Sequence, residues 1–99
     1  MAGRKWRGVT QDDMPGRGEE QRYRRFEVLK GLSSRPRTTR EITTAWQRRV
    51  RGVGWGAGSH QDARDLSSVR SDLCALRHWG LANKFPRSGV NRQDRWTVA

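Results

Sequence analysis

Val69-Arg70-Ser71-Asp72-Leu73-Cys74-Ala75-Leu76-Arg77-His78-Trp79-Gly80-Leu81 decides how this chain folds. Val69, Leu73 and Leu76 recur at four- and three-residue spacing, the repeat that lines up side chains on one face of an α-helix. Gly80 is able to leave a helix with positive φ, and Leu81 then opens a strand-like segment. Backward along the chain, Ala63 and Leu66 continue the stripe. The helix has two candidate starts, Ser59 with Asp62 as a capping pair or Asp65 as a simple N-cap, and the unbroken stripe favours the longer helix, over about 60–79.

Working outward, Leu81-Ala-Asn-Lys-Phe85-Pro86 and Asp94-Arg-Trp96-Thr-Val98 read as two short strands. They are joined by the Gly/Asn-bearing tip Arg87–Arg92. Upstream, Glu19 and Glu20 favour the positive end of a helix dipole, and Tyr23, Phe26, Leu29 and Leu32 follow at three-residue spacing with Val28 alongside. Ser33-Ser34-Arg35-Pro36 ends that first helix, because the residue before a proline is pushed out of the helical region. Thr38-Thr39-Arg40-Glu41 offers a capping box for a second helix, with Ile42, Ala45 and Trp46 inward and Arg40, Gln47, Arg48 and Arg49 toward water or phosphate. Residues 51–58 alternate glycine with other residues and predict a flexible loop. With no Lys-Ser/Thr pair after Gly58 and no apolar strand before it, that loop lacks the features of a phosphate cradle. Residues 1–18, without periodicity and punctuated by Pro15-Gly16 and Gly18, predict a flexible basic arm on a single domain over 19–99.

The composition narrows the function. Formal net charge is +11 on 99 residues, 18 of which are arginine. Direct counting gives about +2 over 1–18, +5 over 19–50, zero over 51–65 and +4 over 66–99, so the excess lies on segments that look folded. Self-repulsion of that size favours a polyanionic partner. Hydrophobic residues make up 32%, enough for one small core. Cys74 is the only cysteine, which excludes an internal disulfide and a multi-cysteine zinc site, and it reads as a small helix-face residue. There is no apolar run for a signal peptide or a membrane span, so a cytoplasmic, nucleoid-associated protein is expected. Plentiful Arg, Gly, Ala and Trp beside scarce Lys, Ile and Asn suggest a GC-rich bacterial or phage genome. His60 and His78 lack a companion pattern for a metal site or a triad; no enzymatic activity, cofactor or metal is expected.

The run from Val69 to Leu81 resembles the recognition-helix pattern of bacterial winged helix-turn-helix regulators: a Val, a Leu four on, a Leu three beyond, then Gly-Leu opening the wing. Arg25-Phe-Glu-Val28-Leu29-Lys-Gly-Leu32 and Thr38-Thr-Arg-Glu41-Ile42-Thr-Thr-Ala45 are similar to that superfamily's first two helices, and the resemblance spans roughly 20–98. It implies an α+β winged helix of three helices and a two-stranded wing, with room for a third short strand between helices one and two. Two departures stand out. About ten Gly-rich residues holding Trp55 replace the usual tight turn between helices two and three, and Ser71 and Asp72 occupy positions where long polar readers are common.

The expected activity is binding of double-stranded DNA, as a transcriptional regulator or a phage or plasmid control protein, acting as monomer or homodimer. Helix 60–79 enters the major groove and wing 87–92 meets the adjoining groove or backbone. Projection at 100° per residue turns Arg64, Ser67, Ser68, Ser71 and Ala75 outward, mostly small residues that allow close approach to base edges. Gln61 and Arg64 add reach; Arg70 and Arg77 flank the helix as phosphate clamps. Arg87 and Arg92 bracket the wing tip, and Arg37, Arg40, Arg48 and Arg49 add backbone contacts. Asp72 either faces an arginine or reads a cytosine amino group. Trp46, Trp79 and Trp96 fall at inward positions; Trp6 and Trp55, in Gly/Arg-rich stretches, are candidate partner contacts, and Arg4, Lys5, Trp6 and Arg7 suit an arm lying along DNA. Two alternatives remain open: an adaptor or inhibitor acting on a host nucleic-acid enzyme, and RNA binding, which the strands' lack of outward aromatics disfavours.

Overall fold

The computed structural model of the chain describes residues 9–52, 59–85 and 93–99. It has an α+β fold. A 3-10 turn (Gln11–Asp13) leads into helix α1 (Glu19–Lys30), strand β1 (Arg37–Thr38), helix α2 (Thr39–Arg51), helix α3 (Ser59–His78) and strands β2 (Ala82–Phe85) and β3 (Arg95–Val98). The sheet is antiparallel in the order β1-β3-β2, so the last strand in sequence is the central one. Its register pairs Ala82 with Val98 and Phe85 with Arg95 on one side, and Arg37 with Trp96 on the other. The third short strand expected between helices one and two is therefore Arg37–Thr38.

Local chemistry sets the helix ends. Thr38 Oγ1 accepts from the Glu41 N–H and Glu41 Oε1 accepts from the Thr38 N–H, both at 3.1 Å, which satisfies two orphan donors at the start of α2. Gly52 at φ 72° ends that helix. At the end of α3 the Leu81 N–H reaches the Leu76 carbonyl at 2.9 Å and the Gly80 N–H reaches Arg77 at 3.0 Å. This is a Schellman closure, with Gly80 at φ 77°, a conformation side chains oppose.

The core joins Val28, Leu29 and Leu32, Ile42 and Trp46, Val69, Leu73 and Leu76, with Leu81, Ala82 and Trp96 from the sheet side. Trp96 is 1% exposed, and its indole N–H donates to Thr39 Oγ1 at 3.0 Å, so this large core residue also ties β3 to α2.

Several side chains depart from the sequence expectations. Met14 is buried in the core and the turn before it is closed by Thr10 and Asp13, so residues 9–18 pack against the domain where an arm was expected; residues 1–8 lie outside the described residues. Tyr23 is 42% exposed, because α1 turns Val28 and Leu29 inward and leaves its first half at the rim. Trp79 is 59% exposed: once the chain reverses at Gly80, Leu81 and Ala82 close the core beneath the helix end and the indole stays outside. Ala63 is exposed, Leu66 is half-buried and Gln47 is fully buried, three corrections with one cause. In the first half of α3 the inward positions belong to Asp62 and Asp65, and Gln47 turns in to meet them.

Candidate nucleic-acid interface

Helix α3 sorts its charges by face. Asp62, Asp65 and Asp72 are all buried, on the same side as Val69, Leu73 and Leu76. Arg64, Arg70 and Arg77 are all exposed, together with Ser67, Ser71 and Cys74. At 100° per residue Arg64, Ser67, Ser71 and Cys74 run along the outward ridge, and Arg70 and Arg77 stand on one flank.

Each buried carboxylate has partners. Arg24 Nε and Nη2 donate to Asp72 Oδ2 and Oδ1 at 2.7 and 3.0 Å, and Arg25 Nε donates to Oδ1 at 3.0 Å. Of the two readings open for Asp72, facing an arginine is the one observed. The hydrogen bond to Asp72 raises the Arg24 guanidinium above its ordinary value, against the opposing pull of partial burial. Arg25 also donates to the Pro15 carbonyl at 2.6 Å, which fastens the N-terminal segment to the same node. At the other end of the helix, Gln47 Nε2 donates to Asp62 Oδ1 and Asp65 Oδ2, both at 3.0 Å, and Gln61 Nε2 donates to Asp65 Oδ1 at 2.9 Å.

The residues proposed from sequence fall into three groups. Arg64, Ser67, Arg70, Ser71 and Arg77 share the solvent side of α3. Arg40, Arg48 and Arg49 are exposed on α2, although Arg49 turns back to donate to the Glu27 carbonyl; Arg37 is half-buried in β1, the edge of the sheet. Gln61 is half-buried and committed to Asp65. Ser68 is half-buried and lines, with Glu20, Tyr23 and Trp46, a cleft of about 360 Å³ between the helices, so it stands beside the outward ridge where sequence projection put it on the ridge. Arg87 and Arg92, the wing tip itself, Trp6, Trp55 and the glycine-rich 53–58 lie outside the described residues.

Arg24 and Arg25 carry charge that sequence counting assigned to a partner and that the fold uses internally. Gln47 was missed as an inward residue. Its signal was its spacing from Thr43, four residues before it and also fully buried, parallel to Ile42 and Trp46. The aspartates of α3 carried a similar signal, with Asp62, Asp65, Val69 and Asp72 at three- and four-residue steps.

Among the described residues no group of three or more His, Cys, Asp or Glu side chains could hold a metal ion, and no helix is long and apolar enough to cross a membrane. Compared with protein-family models, curated proteins and solved structures, the chain finds no match.

Proposed function

We propose that this chain is a winged-helix protein that binds double-stranded DNA, with the outward ridge of α3 in the major groove and the β2–β3 hairpin as the wing. The charge sorting on α3 carries the reading. A helix with three acids and three arginines would be neutral to a polyanion if both sorts faced out; here the acids are withdrawn into the fold and the arginines left in water. The side chains between them, Ser67, Ser71 and Cys74, are short, and short hydroxylic side chains allow close approach to base edges while bonding to base or phosphate. Arg40 and Arg48 on α2 supply further exposed cations for backbone contacts. The element order, with a short strand before α2 and a hairpin after α3, is compatible with the winged-helix architecture.

Titration of a labelled duplex across salt concentrations tests the proposal. Engagement of about six arginines gives a slope of log affinity against log salt near −5, and a slope shallower than about −2 is incompatible with it. A protein-interaction adaptor is the second reading, favoured by Trp79, a large apolar side chain left in solvent. Nuclease treatment separates the two: an adaptor keeps its partner, whereas a DNA binder loses what it carried.

A further inference from the structure

The first half of α3 lacks the apolar anchoring of its second half. From Val69 onward the inward positions hold Val69, Leu73 and Leu76, all fully buried, and Asp72 held by two arginines. Before Val69 the inward positions hold Asp62 and Asp65, and the adjoining apolar residue, Leu66, is half-buried. What joins this half of the helix to α2 is polar: the Gln47 amide nitrogen bonded at 3.0 Å to a carboxylate on each of two successive turns. Gln47 and both aspartates are buried, and Gln61 donates to the second oxygen of Asp65.

Apolar contacts tolerate sliding and rotation, since dispersion and the hydrophobic effect have little directionality, whereas hydrogen bonds fix angle as well as distance. One amide nitrogen bonded to two points on consecutive turns therefore fixes the rotation of the first half of α3, as the Arg24 and Arg25 bonds to Asp72 do for the second half. Arg64 lies between the two anchored residues in sequence, and Ser67 lies two residues beyond the second. A helix with side chains is about 10–12 Å across, so a rotation of ~30° displaces side-chain ends by about 3 Å, more than a base-reading hydrogen bond survives.

We propose that Gln47 is a positioning residue that sets the sequence discrimination of α3 from outside the interface, by locking the rotation of the helix's first half through Asp62 and Asp65. This rests on the DNA-binding reading. Buried polar networks contribute to a unique arrangement more than to net stability, which matches a network placed where packing leaves the arrangement loose.

Three variants test it. Gln47→Met keeps the volume and removes the donor. Asp62→Ala removes one of the two bonds and is the milder change. Gln47→Glu combined with Asp62→Asn and Asp65→Asn reverses donor and acceptor, so that two amides donate to one carboxylate. The probes are the best duplex recovered by the wild-type protein from a random 20-base-pair library and a scrambled duplex of equal composition. Backbone hydrogen exchange over 60–68 and 69–78 and a urea midpoint are recorded on each protein.

The expected result is a loss of discrimination between the duplexes of about tenfold in Gln47→Met and a smaller loss in Asp62→Ala. The salt slope should be unchanged, since it counts phosphate contacts. Exchange should accelerate over 60–68 and not over 69–78, and the triple exchange should restore both discrimination and protection. Undiminished discrimination in a folded Gln47→Met or Asp62→Ala protein overturns the proposal, as does a folded triple variant that fails to recover it. A wild-type protein that binds no duplex sinks the DNA-binding reading and this proposal with it; one that binds but loses nothing in the variants sinks this proposal alone.

Discussion

Asp72, with no exposed side-chain surface, holds Arg24 from α1 at 2.7 Å, so the acid at the centre of α3 is neutralised from the neighbouring helix and stays away from solvent. Arg25 joins it at 3.0 Å with 12% of its side chain exposed. Removing the acid leaves two guanidinium groups without their shared carboxylate, Arg25 largely buried and Arg24 with 29% of its side chain exposed. Asp72→Ala should therefore destabilise the fold by about 3 kcal/mol, the scale expected when one side of a mostly buried pair is deleted. Arg70→Ala, two residues away and exposed, should change stability by no more than about 0.5 kcal/mol. Urea midpoints of the two variants check both; equal midpoints would mean that the Asp72 node bears no load.

The tryptophans predict a second contrast. Trp96 is 1% exposed, donates to Thr39 and lies in the central strand, whereas Trp79 is 59% exposed. Trp96→Ala should cost about 3–5 kcal/mol from the cavity and the orphaned hydroxyl partner, and Trp79→Ala under about 1 kcal/mol. Thermal or urea unfolding followed by far-UV circular dichroism distinguishes them, and the fluorescence maximum of the Trp79→Ala protein should move to the blue as its wettest indole among the described residues is lost.

Most of the helical framework was legible because it rests on short-range chemistry. Thr38 and Glu41 cap α2 through contacts three residues apart, and Gly80 ends α3 because a left-handed residue is needed there. The apolar half of α3, from Val69 to Leu76, was legible from its period. Its polar half was not: Asp62 and Asp65 look like solvent-facing residues until Gln47, 15 and 18 positions away, supplies the donor. Ala63 continues the apolar stripe in sequence yet is exposed in the fold, because the inward side there belongs to the aspartates that Gln47 bonds. Met14 is illegible for a similar reason: a single apolar residue among Asp, Pro and Gly has no period to reveal it, and the neighbouring Pro15 carbonyl is bonded by Arg25 from another element. The outward arginines of α3 were legible from projection alone, since they follow from the helix period once its apolar side is known.

The N-terminal turn should keep its carboxylate bonds to a pH below the ordinary aspartate range. Asp13 accepts from the Thr10 N–H at 2.8 Å and from its hydroxyl at 3.0 Å, and these bonds lower the Asp13 carboxyl below its ordinary value of 3.8. A carboxyl depressed in the folded state stabilises the turn above its unfolded value and loses that contribution as pH falls through the lower, folded one. A carboxyl-detected titration should show Asp13 titrating below a typical aspartate, with the Thr10 amide shift following the same curve. In Thr10→Ala the backbone bond remains and the hydroxyl bond is lost, so Asp13 should move part of the way back; no movement would rule out the hydroxyl's share.

The outward ridge of α3 offers the most direct trial of the DNA-binding reading, because Ser71 and Cys74 are both exposed there. Ser71→Glu puts a carboxylate where the proposal puts phosphate or a base edge, at a side chain that is exposed in the fold. Duplex affinity should fall at least about tenfold, with the urea midpoint within about 0.5 kcal/mol of wild type. Cys74 gives an independent handle one turn on, between Arg70 and Arg77 in sequence. Alkylation with iodoacetate adds a bulky anion and should abolish binding, iodoacetamide should weaken it less, and a duplex bound beforehand should slow modification of the thiol. Protection that fails to appear at saturating duplex, in a protein whose affinity also ignores Ser71→Glu, would move any DNA contact to a different surface of the molecule.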